Sequence, residues 1–90
     1  MRVHWTDRAS NDLFYIGLYI SGDNPRASDS VVRTIFDSCE GLVVAPHRGR
    51  IGKKRGTREL LFAPLPYIAV YRVTGSVIEI LAIWHGAQNR

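Results

Sequence analysis

The side chains of this chain that could do chemistry lie mostly in its second half. Residues 41–90 hold eight Lys and Arg against two acids, and residues 1–40 hold four against six, so the formal charge of +4 divides into −2 and +6. Arg48, Arg50, Lys53, Lys54, Arg55 and Arg58 follow one another with no acid between them and with glycines interspersed. Such a cluster suits contact with phosphates or with an acidic protein surface. No aromatic residue interleaves it, which argues against a stacking platform for single-stranded nucleic acid and favours the acidic protein. A solvated basic loop is the plain alternative.

Three further residues stand out. Arg72 sits in an otherwise apolar run, where a guanidinium must reach a carboxylate or the edge of a sheet. Arg58 precedes Glu59, and an exposed cross-strand ion pair there would be worth about 0–1 kcal/mol; either arginine could instead meet a carboxylate of a partner or target. His85, beside Trp84 at the end of an apolar run, could act as a general acid or base, the common role of histidine near neutrality. Strand-end histidines more often bond a backbone carbonyl. His4 and His47 have no ligand-like spacing, so a metal site has no support. Cys39, the one cysteine, reads as a small buried residue on a helix, cannot form an internal disulfide, and fits a reducing compartment.

These residues must be positioned by a sheet. Gly56 to His85 is rich in Ile, Val, Leu, Tyr and Phe, in three runs separated by turn segments, the pattern of a strand meander. Arg58 to Phe62 ends at Ala63-Pro64-Leu65-Pro66, where two prolines fix φ and remove donors. Tyr67 to Val73 ends at Thr74-Gly75-Ser76, where Gly75 can take positive φ and fold the third run back antiparallel. The middle run is apolar on both faces, with Ile68 and Val70 on one and Tyr67, Ala69, Tyr71 and Val73 on the other. A strand wet on one face would alternate, so both faces are expected to be at least partly covered, one of them by another chain.

The other cover comes from the N-terminal half. After a short strand at Arg2 to Trp5, Thr6 as N-cap and Asp7 in the first turn start a helix. Ala9, Leu13, Ile16 and Ile20 form its apolar stripe, and Gly22 stops it, giving Asp7 to about Ile20. Asn24-Pro25 opens a second helix running to about Val43. Joined by about four residues, the two lie antiparallel and lay a shared apolar face on the sheet. Residues 45–56, with three glycines and five basic residues, read as an irregular link. The expected architecture is α+β in the order β-α-α-β-β-β, one domain over residues 1–90, with a helical hairpin on one face of a small antiparallel sheet. No apolar run approaches the roughly 20 residues of a membrane span, and none follows Met1 as a secretory signal requires, so a cytoplasmic protein is expected.

The segment WTDRASNDLFYIGLYI, the Asn24-Pro25 opening, Pro46 with Gly49-Arg50, Gly56-Thr-Arg-Glu-Leu60, Pro66-Tyr67 with Tyr71-Arg72-Val73, and Ile80-Leu81 with His85-Gly86-Ala87-Gln88 together resemble the RelE/ParE superfamily of bacterial type II toxins over nearly the whole chain. The resemblance implies a toxin neutralised by a cognate acidic antitoxin whose extended tail wraps it, in a hetero-oligomer that reaches operator DNA only through the antitoxin. It also implies one of two activities. The RelE-like branch cuts mRNA on the ribosome, and the ParE-like branch poisons DNA gyrase without chemistry or a cofactor of its own.

Laid on this sequence, the RelE pattern puts its second-strand arginine at Ile68 and its late basic residue at Ala87 or Gln88. Its C-terminal tyrosine would fall past Arg90, and of its first-strand basic pair only Arg58 matches, the next same-face position being Leu60. Attack by a 2′-hydroxyl needs a base, an acid and a cation within hydrogen-bond reach, and too few are present. The Thr-Arg-Glu-Leu, Pro-Tyr and His-Gly-Ala pieces are more similar to the ParE branch. A gyrase poison is therefore expected, with Arg48, Arg50, Lys53, Lys54, Arg55, Arg58 and Arg72 as candidate contacts to target or antitoxin. The alternatives are an mRNA endonuclease using Arg58, Arg72 and His85, and an inert adaptor that only titrates an antitoxin.

Overall fold

A computed structural model describes residues 1–86. The elements run β1 (Arg2–Trp5), α1 (Asp7–Ser21), α2 (Pro25–Glu40), β2 (Arg50–Ile51), β3 (Arg58–Leu61), β4 (Tyr67–Thr74) and β5 (Val77–His85). Both helices start as the sequence indicates: Thr6 Oγ1 accepts from the amide of Ala9 at 3.1 Å and Asn24 Oδ1 from that of Ala27 at 3.1 Å, each satisfying an orphan donor of the first turn. The second helix is shorter than its apolar stripe suggests. After Glu40 the chain tightens into a 3-10 turn over Gly41–Val43, closed by the Val44 amide on the Gly41 carbonyl at 3.1 Å, which still buries Leu42.

The five strands form one sheet in the order β1-β5-β4-β3-β2. The meander of β3, β4 and β5 is antiparallel as expected, and Gly75 takes a φ of 60° in the two-residue β4–β5 turn. The sheet as a whole is mixed, however, because β1 joins the outer edge of β5 in parallel, Arg2 to Trp5 against Val77 to Ile80. The link read as irregular contains a strand: Arg50 and Ile51 pair antiparallel with Glu59 and Arg58. Two residues are too few for an alternation to show.

The helical hairpin lies on one face. α1 packs against β5 and α2 against α1, tied by the Ser28 hydroxyl donating to the Gly17 carbonyl at 2.6 Å. Ala9, Leu13, Ile35, Cys39 and Leu42 meet Leu60, Tyr67, Ala69, Tyr71, Ile78, Ile80 and Ile83 in one core. Ile68 and Ala82 are buried too, yet stand outside that core. They belong to the opposite face, which no helix covers among the described residues.

An irregularity in β5 sets which residues reach which face. Val70 faces Ala82, while its neighbour Tyr71 faces Ile80, leaving Leu81 as an extra residue. Ile78 and Ile80 therefore point to the helices, and past the bulge the parity flips, so Ile83 takes the helix side and Ala82 and Trp84 the other.

Candidate functional site

The uncovered face is floored by Val70, Ala82 and the half-buried Trp84, with Ile68 and the exposed Leu61 beside them in register. It encloses a concavity of about 550 Å3. Lys53, Lys54 and Thr57 from the β2–β3 hairpin line it, as does Arg8 from the first turn of α1. The Arg8 guanidinium carbon lies 4.9 Å from the centre of the Trp84 ring, a cation–π contact, while its Nε is 3.2 Å from Asp12. Asp12 in turn accepts from the Ile83 amide at 3.0 Å, just where β1 has ended and β5 would otherwise expose an unpaired edge.

Among the described residues Glu59 is the one carboxylate lining the concavity, and it is buried and held by Arg50, whose Nη2 and Nε lie 2.8 and 3.0 Å from Oε1. The sequence-level reading of an ion pair between Arg58 and Glu59 is corrected by this geometry. The two project to opposite faces because they are adjacent on one strand. Arg58 instead donates to the Gly49 carbonyl at 2.8 Å and the His47 carbonyl at 3.2 Å. It fastens the loop before β2.

The remaining candidates separate. Arg72 is paired with Glu79 at 2.6 Å on the uncovered face. Arg48 and Arg55 are exposed. His85 ends β5 opposite Tyr67, its ring centroid 5.5 Å from the tyrosine's in an edge-on arrangement. Arg72 and Tyr67 are five residues apart on β4, about 17 Å at the strand rise, and Arg72 and His85 lie on opposite faces. Arg58, Arg72 and His85 therefore do not converge. Ala87 and Gln88, where a late basic residue was sought, lie outside the described residues.

Among the described residues no group of three His, Cys, Asp or Glu side chains could hold a metal. Burial pushes the Cys39 thiol up to about 12, leaving it protonated and inert at neutral pH. No described helix is long and apolar enough to cross a membrane.

Sequence reasoning missed the Arg8–Trp84 contact, the Asp12 cap on β5 and the role of Tyr71, whose hydroxyl donates to the Pro46 carbonyl at 2.7 Å and accepts from the Gly49 amide at 2.9 Å. A signal for the last existed in Gly49: a Cβ there would lie 2.7 Å from the Tyr71 ring, so only glycine lets the loop approach.

A helical hairpin on one face of a meander, a short parallel strand added by the N-terminus and a basic hairpin at the far edge define the α+β fold of the RelE/ParE toxins. The family model of the ParE toxin of type II toxin-antitoxin systems matches residues 3–90, so the chain belongs to that family. It is 42% identical over 88 residues to the "Putative toxin Y4kP" of Sinorhizobium fredii, covering 98% of this chain and 91% of that one. It is 33% identical over 87 residues to Toxin RelE2 of Caulobacter vibrioides, covering 97% of each. A chain of the chromosomal ParDE system from P. aeruginosa superimposes with a TM-score of 0.83 at 31% identity, over 94% of this chain and 95% of that one. Membership of a toxin-antitoxin family implies a cognate antitoxin as partner.

Proposed function

We propose that this toxin acts by binding and poisoning DNA gyrase, without covalent chemistry of its own, and is silenced when its antitoxin occupies the concavity on the uncovered face. The observation that carries the reading is the separation of Arg58, Arg72 and His85. Arg58 is spent on loop carbonyls, Arg72 on Glu79, and His85 ends β5 on the face opposite Arg72. In-line attack on a phosphodiester requires base, acid and cation around one phosphate. A binding mechanism requires only a surface. The concavity offers one, an apolar floor between Arg8 and the Lys53-Lys54 hairpin, which suits an extended amphipathic segment that sets apolar side chains on Val70, Ala82 and Trp84 and carboxylates against the rims. Such a segment is the expected tail of an acidic antitoxin.

Purified toxin added to gyrase should inhibit supercoiling and accumulate cleaved DNA complexes, and added antitoxin should reverse both. Folded toxin with no effect at micromolar concentration would remove the proposal. The RelE names of relatives at 33% and 29% identity favour a second reading, cleavage of mRNA on the ribosome. For that reading, RNA must be cut in a translating extract and spared by both His85→Ala and Arg72→Ala.

A further inference from the structure

A second concavity, of about 420 Å3, opens on the helix side of the sheet, where β4 begins and β5 ends. Three tyrosines surround it: Tyr15 and Tyr19, one turn apart on α1, and Tyr67 at the start of β4. Ile16 and Ile83 add apolar wall, and Asp12 and His85 complete the lining. Tyr19 is 80% and Tyr15 64% exposed, whereas Tyr67 is only 8% exposed. The Tyr67 phenol has its pKa raised, first by burial and then by the neighbouring Tyr19.

Its chemistry is the reverse of the first concavity. No arginine or lysine lines it among the described residues, whereas Arg8, Lys53 and Lys54 line the other. Aromatic faces carry a negative quadrupole, phenol oxygens can accept, and the Asp12 carboxylate adds two acceptor oxygens. That carboxylate already meets the Ile83 amide at 3.0 Å and Arg8 Nε at 3.3 and 3.2 Å through its two oxygens, but those oxygens offer about four lone-pair sites, so a further donor can be met. A purely apolar anchor would strip water from the carboxylate and the phenols without replacing its hydrogen bonds.

We propose that Tyr15, Tyr19, Tyr67 and Asp12 form an aromatic cage for the cationic head of an arginine or lysine side chain presented by a protein partner. The molecule then carries two docking surfaces of opposite chemistry, one on each side of the sheet: the first draws an acidic segment, the second a basic one. The cage does not depend on the gyrase reading, because its lining is disjoint from that of the basic concavity.

The test is an NMR titration of the whole toxin, following aromatic ring and backbone signals, with N-acetyl-arginine methylamide as the probe. Saturable shifts are expected at Tyr15, Tyr19 and Tyr67, with a Kd on the order of millimolar for one cationic side chain. Tyr19→Phe keeps the ring face and should leave that Kd within about twofold, and Tyr19→Ala should weaken it by about 3- to 10-fold. At 80% exposure the Tyr19 ring can be removed without opening the core. Equal shifts from N-acetyl-norleucine methylamide, which has similar reach and no charge, would show an apolar anchor pocket and overturn the cage. Shifts confined to Trp84 and the β2–β3 hairpin, no shifts at all, or a Kd untouched by Tyr19→Ala would overturn it equally.

Discussion

The buried hydroxyl of Tyr71 accepts a hydrogen bond from the backbone amide of Gly49 at 2.9 Å, across 22 residues of sequence. The same hydroxyl donates to the Pro46 carbonyl, and Arg58 donates to the Gly49 carbonyl from the neighbouring strand. One phenol and one guanidinium thus satisfy the backbone of the turn that leads into the basic hairpin. Without them that turn would hold its polar groups against the sheet unpaired.

Tyr71→Phe keeps the ring and loses both bonds, so two loop groups are left without their partner at a cost of about 1–3 kcal/mol. A urea titration should show the midpoint falling with unchanged slope, and hydrogen exchange should show the Gly49 amide losing protection before the β4–β5 amides do. Gly49→Ala should cost a similar amount for a different reason, since its Cβ would meet the Tyr71 ring at 2.7 Å and the Glu59 carbonyl at 2.9 Å.

The two ion pairs of the uncovered face should behave differently. The Glu59 side chain is 5% exposed and its Arg50 partner 55%, whereas Arg72 and Glu79 are 51% and 26% exposed. Arg50→Ala removes a charge-assisted hydrogen-bond partner from a nearly buried carboxylate, and with allowance for the exposed arginine it should cost about 1–3 kcal/mol. Arg72→Ala removes a solvent-screened pair and should cost about 0–1 kcal/mol. Denaturation of both variants at low and high salt checks the order; equal losses would contradict the burial argument.

Much of this arrangement was legible in the residues. Thr6 and Asn24 announce both helix starts, Gly75 the last hairpin, and the two-faced apolar pattern of Tyr67 to Val73 the layered sheet. What was not legible depends on register. The bulge at Leu81 exchanges the faces of Ala82 and Ile83, and no composition rule marks it. Asp12 reads as one more polar residue on the outer side of α1 until β1 is seen to stop opposite Ile80, leaving the Ile83 amide for it to accept. The cationic run was visible as a unit, but its division was not. Alternation along β2 and β3 sends Arg50 to Glu59 on one face and Arg58 to the turn on the other, while Lys53 and Lys54 reach the concavity from the loop between those strands.

Cys39 makes stability depend on alkaline pH. Its thiol pKa rises from 9.0 to about 12 in the folded protein, chiefly through burial. Above 9 the unfolded chain has released this proton while the folded chain keeps it, so the unfolded state binds fewer protons and stability must fall as pH rises. The full contribution is present below pH 9 and declines by about 1.4 kcal/mol per unit toward 12. Urea midpoints between pH 8 and 10 should decline in the wild type, and Cys39→Ala should flatten that slope whatever its cavity costs. Ellman's reagent should label the thiol only as fast as the protein opens.

Lys53 and Lys54 stand on an exposed hairpin at one rim of the concavity, whereas Trp84 lies half-buried in its floor beneath Arg8. Rim charges act over a Debye length and set the encounter rate, while a desolvated aromatic anchor sets how long the complex lasts. Lys53→Glu with Lys54→Glu should slow association with the antitoxin by about tenfold at low salt, with the difference shrinking as salt is added. Trp84→Ala should leave association nearly unchanged and speed dissociation by at least about 30-fold, the equivalent of about 2 kcal/mol. Surface plasmon resonance at two salt concentrations separates the two effects. If neither rate moves while gyrase inhibition is lost, the concavity belongs to the target, and the antitoxin neutralises the toxin from another side.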